Sequence, residues 1–200
     1  MRKIGLCGQS GSGKGTVASL FSAYGVPSLD TDAIYHDLTA HPGVCVSEIA
    51  SVFGDGVLNA DGSLSRPALA GLVFSRSPQL LPMLNTIAHK HIRREVLALC
   101  DRFEAEGKRA VLIDAPLLFE SGFDALCDTV IGVVAAPSLR LARIMARDHI
   151  TEEMALSRMK TQLPEEELRR RCDFIIENNG SVDNLRPQVE KIIKIIDTGE

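Results

Sequence analysis

An α/β fold, a parallel five-stranded sheet flanked by helices, is predicted for this chain by three observations. A short apolar strand, Lys3–Cys7, runs straight into the glycine-rich segment GQSGSGKGT, and a helix follows at once. Two later segments, Ala110–Asp114 and Thr129–Ala136, are nearly continuous apolar runs, the pattern of strands buried on both faces. Strand and helix signals alternate along the chain, as in a sheet wrapped by helices. At 200 residues the chain suits one domain, or a core with a small insertion.

Taken in order, the helix after the loop carries Val17, Leu20, Phe21 and Tyr24 at the i, i+3, i+4, i+7 spacing of one buried face. Gly25 closes it, and Val26–Leu29 makes a second strand. Asp30, Thr31 and Asp32 then stand at a strand's C-terminal end, where open α/β sheets place their ligands. From about 37 to 105 the pattern is mostly helical, broken by the polar turn FGDGVLNADGSLSR. After the two apolar strands, Pro137 opens a helix at its first position. A fifth strand spans Phe174–Glu177. Val182, Leu185, Val189, Ile192, Ile193 and Ile196 then mark a C-terminal amphipathic helix, which Pro187 is expected to kink or delay.

Composition narrows the function. A net charge of −4 provides no bulk basic field for nucleic acid or acidic membranes. No apolar run is long enough to span a bilayer, and MRKIGLCGQS lacks the longer apolar region of a secretory leader. Five scattered cysteines with no CxxC predict reduced thiols, a cytoplasmic location and no metal cluster. Most of them are expected to fill the core. His89 and His91 lie two apart on a helix and point to different sides, a poor metal pair.

The chemistry starts at the loop. Gly8 to Lys14 fit GxxxxGK between a predicted strand and a predicted helix, the context the motif requires. Glycines there turn successive backbone N–H groups toward phosphate oxygens, and the helix N-terminus adds a favourable dipole. Lys14 would neutralise charge on a transferring phosphate, and a hydroxyl would help hold Mg²⁺. Gly15 stands where Ser or Thr usually follows the lysine, so Thr16 is the candidate magnesium ligand. A nucleotide switch is not indicated, since the chain has no Asn-Lys pair and no Asp followed by Gly three residues on. An ATP-binding module without catalysis is the reading from another class; ATP binding without acceptor-dependent ADP release would mark it.

Phosphoryl transfer also needs a group beside the attacking hydroxyl and cations around the phosphate. Asp32 is the first candidate to orient or deprotonate a hydroxyl; its other reading is the N-cap of the next helix, a role open to Asp30 and Thr31 as well. Arg140, Arg143 and Arg147 fall on one helix face. They form either a solvated stripe or a set brought onto phosphates by a lid, the turn at Asp148–Thr151 and the helix beginning TEEM. Arg169–Arg171 reads as solvated surface.

These segments together resemble the dephospho-CoA kinase family over the full length. The resemblance rests on the GSGK loop, LDTD, FGDGVLNADGSLSR, LNTIAHKHI, DAPLLFESG, APSLRLARIMARD with its TEE helix, and RMKTQLPEEELRRRCDFIIENNG. It implies transfer of the ATP γ-phosphate to the ribose 3′-hydroxyl of dephospho-CoA. It further implies a P-loop kinase core with a helical acceptor-binding insertion at about 37–105 and a lid at about 138–163. By the same resemblance Asp32, Lys14 and Arg143 are catalytic. Gly8, Gly11, Ser12, Gly13, Lys14, Gly15, Thr16, Arg143, Asn178 and Gly180 bind ATP, the last two near the adenine. Asp32, His36, His89 and Leu117 face the acceptor. Three positions depart from the family pattern: Gly15 in place of Ser, His36 in place of Arg, and Lys90 in place of Pro. The second removes a permanent charge, because His is mostly neutral at pH 7. A nucleoside or nucleotide kinase is the neighbouring alternative, favoured by the GKGT ending.

Overall fold

The computed structural model describes residues 1–75 and 79–198. Residues 76–78, inside the segment expected to be mostly helical, and residues 199–200 lie outside the described residues. The elements are β1 (Arg2–Gly8), α1 (Lys14–Ala23), β2 (Ser28–Asp30), α2 (Thr31–Ala40), α3 (Val44–Phe53), α4 (Arg66–Ser75) and α5 (Leu80–Ala105). They continue with β3 (Ala110–Asp114), β4 (Thr129–Val134), α6 (Pro137–Asp148), α7 (Glu152–Lys160), α8 (Glu165–Arg171), β5 (Phe174–Glu177) and α9 (Val182–Thr198). Among the described residues the sheet has five strands in the order β2-β3-β1-β4-β5. β1 pairs in parallel with β3 and β4, and β4 with β5. This is the α/β architecture the alternation predicts, with β1 central and the glycine-rich loop at its C-terminal end.

The chain divides into two compact units. One is Met1–Leu29 with the chain from Arg102 onward; the other is Asp30–Asp101. In the first, Ile4, Leu6, Leu112, Ile131, Val133 and Ile176 of the sheet pack with Val17, Leu20 and Phe21 of α1 and with Leu185, Val189 and Ile192 of α9. Phe21 and Ile4 are fully buried. Strand residues sealed on both faces explain why β3 reads as an unbroken apolar run. The second unit has its own core, formed by Cys45, Val46, Ile49, Val57, Leu64, Leu69, Val73 and Ile87. The polar turn within it folds as a 3₁₀ turn at Asp55–Val57 and a bridge between Leu58 and Leu64. The Asp61 carboxylate accepts from the Ser63 N–H and hydroxyl there.

Strand ends differ from the sequence reading, with β1 one residue longer at each end, Arg2–Gly8. β2 starts at Ser28, after Pro27, which has no N–H to give a ladder; its carbonyl accepts from Leu112 N–H at 2.8 Å. β4 ends at Val134 because Ala136 N–H turns aside to Asn179 Oδ1 at 2.7 Å and Pro137 begins α6. α9 starts at Val182 and continues through Pro187, so that proline does not delay it. Among the cysteines, Cys7, Cys45 and Cys100 are buried, while Cys127 and Cys172 are half-buried. No helix among the described residues is long and apolar enough to cross a membrane.

The start of α2 settles which acid caps it. Asp30 is the N-cap, its carboxylate accepting from Asp32 N–H at 2.9 Å and Ala33 N–H at 3.2 Å. Asp32 is a helical residue one place inside, exposed, and is not the cap. Asp30→Ala should therefore destabilise the protein by about 0.5–2 kcal/mol, and Asp30→Asn by far less. Urea unfolding of both variants checks this; equal losses would assign Asp30 a charge-dependent role instead of a capping one.

Candidate active site

The loop Gln9–Gly13 leaves β1 and enters α1 with an uncommitted helix N-terminus. Gly13 is the N-cap, offers no side-chain hydrogen bond, and the first turn holds no acidic residue. The Lys14 and Gly15 N–H groups that open α1 precede the first intrahelical bonds, which start at Thr16, and no carboxylate in the first turn competes for the dipole. By contrast α7 is capped by Thr151, whose hydroxyl accepts from Met154 N–H. Only α1 of these two presents its bare amides at the end of the central strand, the geometry suited to an anion.

What turns those amides inward is visible on the other side of the loop. Three successive carbonyls point outward and meet side-chain donors. Ser10 C=O accepts from Arg140 Nε at 3.1 Å, Gly11 C=O from Arg143 Nη1 at 3.2 Å, and Ser12 C=O from Asn178 Nδ2 at 2.7 Å. Arg143 also donates to Asn178 C=O at 3.2 Å, and Arg147 Nη2 reaches Ser10 Oγ at 3.4 Å. Arg140 and Arg143 of the α6 stripe thus lie along the loop, while Arg147 stays exposed and pairs with Asp148. Arg140 is 4% exposed, and its hydrogen-bond partners are neutral oxygens. Burial pushes its guanidinium below the ordinary value, opposed by the nearby Glu165 charge.

Two glycines are required by this packing. Gly11 has φ +77°, and a Cβ there would come within 2.6 Å of the Arg140 carbonyl. Gly13 has φ +90°, and a Cβ there would collide with Asn178 Nδ2. Gly8 is closed in by Val133 O at 2.7 Å and Ser12 Oγ at 2.8 Å. Gly15 faces open space.

Lys14 forms an ion pair with Asp114, the last residue of β3, and both side chains are mostly buried. Thr16 is exposed in the first turn of α1. Ser12 faces wholly into the protein. Its N–H donates to Gln9 C=O, its carbonyl accepts from Asn178, and its hydroxyl is buried with no partner. Asn178 is 5% exposed and braces the loop. Gly180 is exposed on the turn after β5, closed in by Asn184 Oδ1 at 2.6 Å from a Cβ position. Leu117 is exposed after β3.

The remaining sequence candidates belong to the second unit. Asp32 and His36 are exposed on α2, His36 with its Nδ1 3.9 Å from Asp37. His89 is half-buried, and burial lowers its pKa. Its neighbour Lys90 pairs with Glu48, whose carboxylate also accepts from buried His91 Nε2 at 2.7 Å. Those contacts hold the Glu48 carboxyl below its ordinary range. By the family resemblance Gln162 of RMKTQLPEEELRRR belongs to a glutamine-containing helix, with no task of its own; its Oε1 receives both Ser10 N–H and Arg140 Nη2. It stands in a turn between α7 and α8, where no periodicity marks it; the expected helix around it is interrupted there. Of Arg169–Arg171, the first two pair with Glu165, Glu177 and Glu167 on the surface, and Arg171 stacks over Phe119.

A five-stranded parallel sheet with a glycine-rich loop, a loop lysine and cations along it defines a P-loop nucleotide-binding protein of the small-molecule kinase fold. Shikimate kinase from Acinetobacter baumannii shares that fold, with a TM-score of 0.55 and 17% identity over 100% of this chain and 95% of that one. The family model for dephospho-CoA kinase matches residues 2–184. The chain is 38% identical to the dephospho-CoA kinase of Corynebacterium efficiens over 193 residues, 96% of each chain. It is 38% identical to that of Bacillus cereus strain ATCC 10987 over 191 residues, 96% of this chain and 95% of the relative. Dephospho-CoA kinase from Campylobacter jejuni superposes with a TM-score of 0.72 at 29% identity, covering 100% and 99% of the two chains. A Thermus thermophilus protein does so at 0.81 and 35%, covering 96% of each. The chain belongs to the dephospho-CoA kinase family.

The contrast between two glycines gives a direct test of the loop. Gly13→Ala should weaken ADP binding by about tenfold or more, because the left-handed backbone and the Asn178 contact both resist a Cβ. Gly15→Ser should stay within a few-fold of the parent. Calorimetric ADP titration measures both, and equal effects would remove the loop geometry as the cause.

Proposed function

We propose that the chain transfers the γ-phosphoryl group of ATP to the ribose 3′-hydroxyl of dephospho-CoA, giving coenzyme A. The carrying observation is the loop at the end of β1, its three outward carbonyls held by Arg140, Arg143 and Asn178 and its amides left for phosphate. Family membership supplies the acceptor. The acceptor-binding insertion is the mostly helical stretch at about 37–105, and Asp32, His36, His89 and Leu117 face the acceptor. The lid is the α6–α7 hairpin within 138–163. The adenine lies on the turn after β5, at Asn178 and Gly180.

Each residue's task follows from its chemistry. Lys14, with its ammonium at the loop, takes up charge on the transferring phosphate as its pairing with Asp114 gives way to phosphate oxygens. Arg143 keeps further N–H donors after bracing Gly11 and Asn178, and these serve the phosphates. Asp32 orients the 3′-hydroxyl and accepts its proton as the phosphoryl group arrives. The capping of α2 falls to Asp30, so the proton-accepting role and the capping role lie on different carboxylates. The residues present suit Mg²⁺, which keeps most of its waters and needs only one or two protein oxygens. The exposed Thr16 hydroxyl and the Asp114 carboxylate beside Lys14 would hold it, and it would neutralise phosphate charge.

The test is an acceptor screen with ATP fixed: dephospho-CoA, nucleosides and nucleotides, read as ADP release. Preference for a nucleoside or nucleotide would overturn the assignment. Lys14→Ala should lower turnover by about 10²–10³-fold while ADP binding falls much less. Asp32→Asn keeps shape but cannot accept a proton, so turnover on dephospho-CoA should fall by about 10²-fold or more with melting temperature and ATP affinity unchanged. Near-normal turnover at saturating dephospho-CoA would move the base to Asp30 or Asp114.

A further inference from the structure

We propose that Arg140 and Gln162 are positioning residues of the phosphate loop, gripping Ser10 from the two stems of the α6–α7 hairpin and fixing the loop for nucleotide. This rests on the kinase reading above and concerns two residues that reading leaves without a task at the phosphates.

The two stems converge on one residue. Arg140, in the first turns of α6, donates Nε to Ser10 C=O at 3.1 Å and Nη2 to Gln162 Oε1 at 2.8 Å. Gln162, just past the end of α7, accepts Ser10 N–H at 3.2 Å on the same oxygen. Both backbone groups of Ser10 are therefore held, one by each stem. Both partners of that oxygen are donors, which fixes the orientation of the Gln162 amide. The grip extends either side: Gln9 Nε2 donates to Leu163 C=O at 2.8 Å, and the Arg140 backbone lies 2.6 Å from where a Gly11 Cβ would stand. A shift of the first turns of α6 would move Ser10 and Gly11 with it.

The energetics argue against a merely structural contact. A guanidinium 4% exposed, bonded to neutral oxygens, carries a desolvation penalty that an apolar residue of similar size would avoid. Its placement makes sense where the neighbouring loop is to receive several negative charges. Ser10 N–H, taken by Gln162, is withdrawn from ligand binding, so the amides left for phosphate begin beyond it. Gln162 thus sets which loop amides face a ligand as well as where they sit.

The experiment compares Gln162→Leu, Gln162→Glu and Arg140→Met with the parent. ADP affinity is read by calorimetry, and kcat and both KM values in the kinase assay. Gln162→Leu leaves the half-buried Ser10 N–H and an Arg140 N–H without their shared acceptor. It should weaken ADP binding by about tenfold and raise the KM for ATP in step, with the KM for dephospho-CoA within about twofold. Gln162→Glu retains both acceptor contacts and should recover ADP affinity to within about threefold. Arg140→Met should weaken ADP binding similarly, and combined with Gln162→Leu should be no worse than the weaker single variant. Unchanged ADP affinity in Gln162→Leu, no recovery in Gln162→Glu, or additive losses would each overturn the proposal. So would an equal rise in both KM values. Should Gln162→Leu fail to fold, Arg140→Met and Gln162→Glu decide alone. The ADP titration needs no acceptor. A parent protein inactive on dephospho-CoA would therefore sink the functional reading while the grip on the loop is still judged.

Discussion

A backbone that offers its N–H groups to an anion must send its carbonyls the other way, and those carbonyls then need donors inside the protein. Much of this molecule answers that constraint. Ser10, Gly11 and Ser12 turn their oxygens toward α6 and β5, where Arg140, Arg143 and Asn178 meet them. A buried carbonyl without a donor would cost about 1–3 kcal/mol, so three braces in succession are what make a sharply turned loop a stable one. The two left-handed glycines, 11 and 13, follow from the same demand, since one packs against the α6 backbone and the other against the Asn178 amide.

The braces do electrostatic work as well. Two of the three are arginines, and a third arginine, Arg147, reaches the Ser10 hydroxyl. With Lys14 they concentrate positive charge around one loop of a chain whose net charge is −4. Local placement, and not overall charge, is what suits this protein to a polyphosphate. Asp148 shows the counterpart on the hairpin: the Arg147 hydrogen bonds, with Arg158 nearby, hold its carboxyl at about 2, so it stays charged across the physiological range. Lys14 is paired with Asp114. The loop's cation is thereby kept at the mouth of the site by a carboxylate that phosphate oxygens can replace.

The second unit answers a different need. It buries its own apolar cluster, and its first helix is capped by Asp30, whose carboxylate receives the Asp32 N–H. The two acids lie two residues apart in LDTD, and only the first is the cap. The difference arises because the N-cap has an extended backbone, which lets its side chain fold back on the first amides, while a residue inside the helix cannot do so.

The sequence by itself determined the α/β class, the loop and its lysine, the strand order of appearance, and the arginines on one helix face. All of these are local: apolar runs, 3.6-residue spacing and glycine positions are written into consecutive residues. It also carried the family, because many short motifs recur in order. The partners of those residues were decided only in the tertiary structure. Arg140 and Arg143 could equally have faced water, Asp30, Thr31 and Asp32 were all chemically fit to cap, and Gln162 lay in a family motif that named no partner for it. The Arg140–Ser10 bond joins residues 130 apart, and the Asn178–Ser12 bond residues 166 apart. Such pairings follow from the strand order, which sets β5 across β4 from β1, and from the packing of α6 along the loop, a matter of summed burial across the sheet that no local spacing encodes.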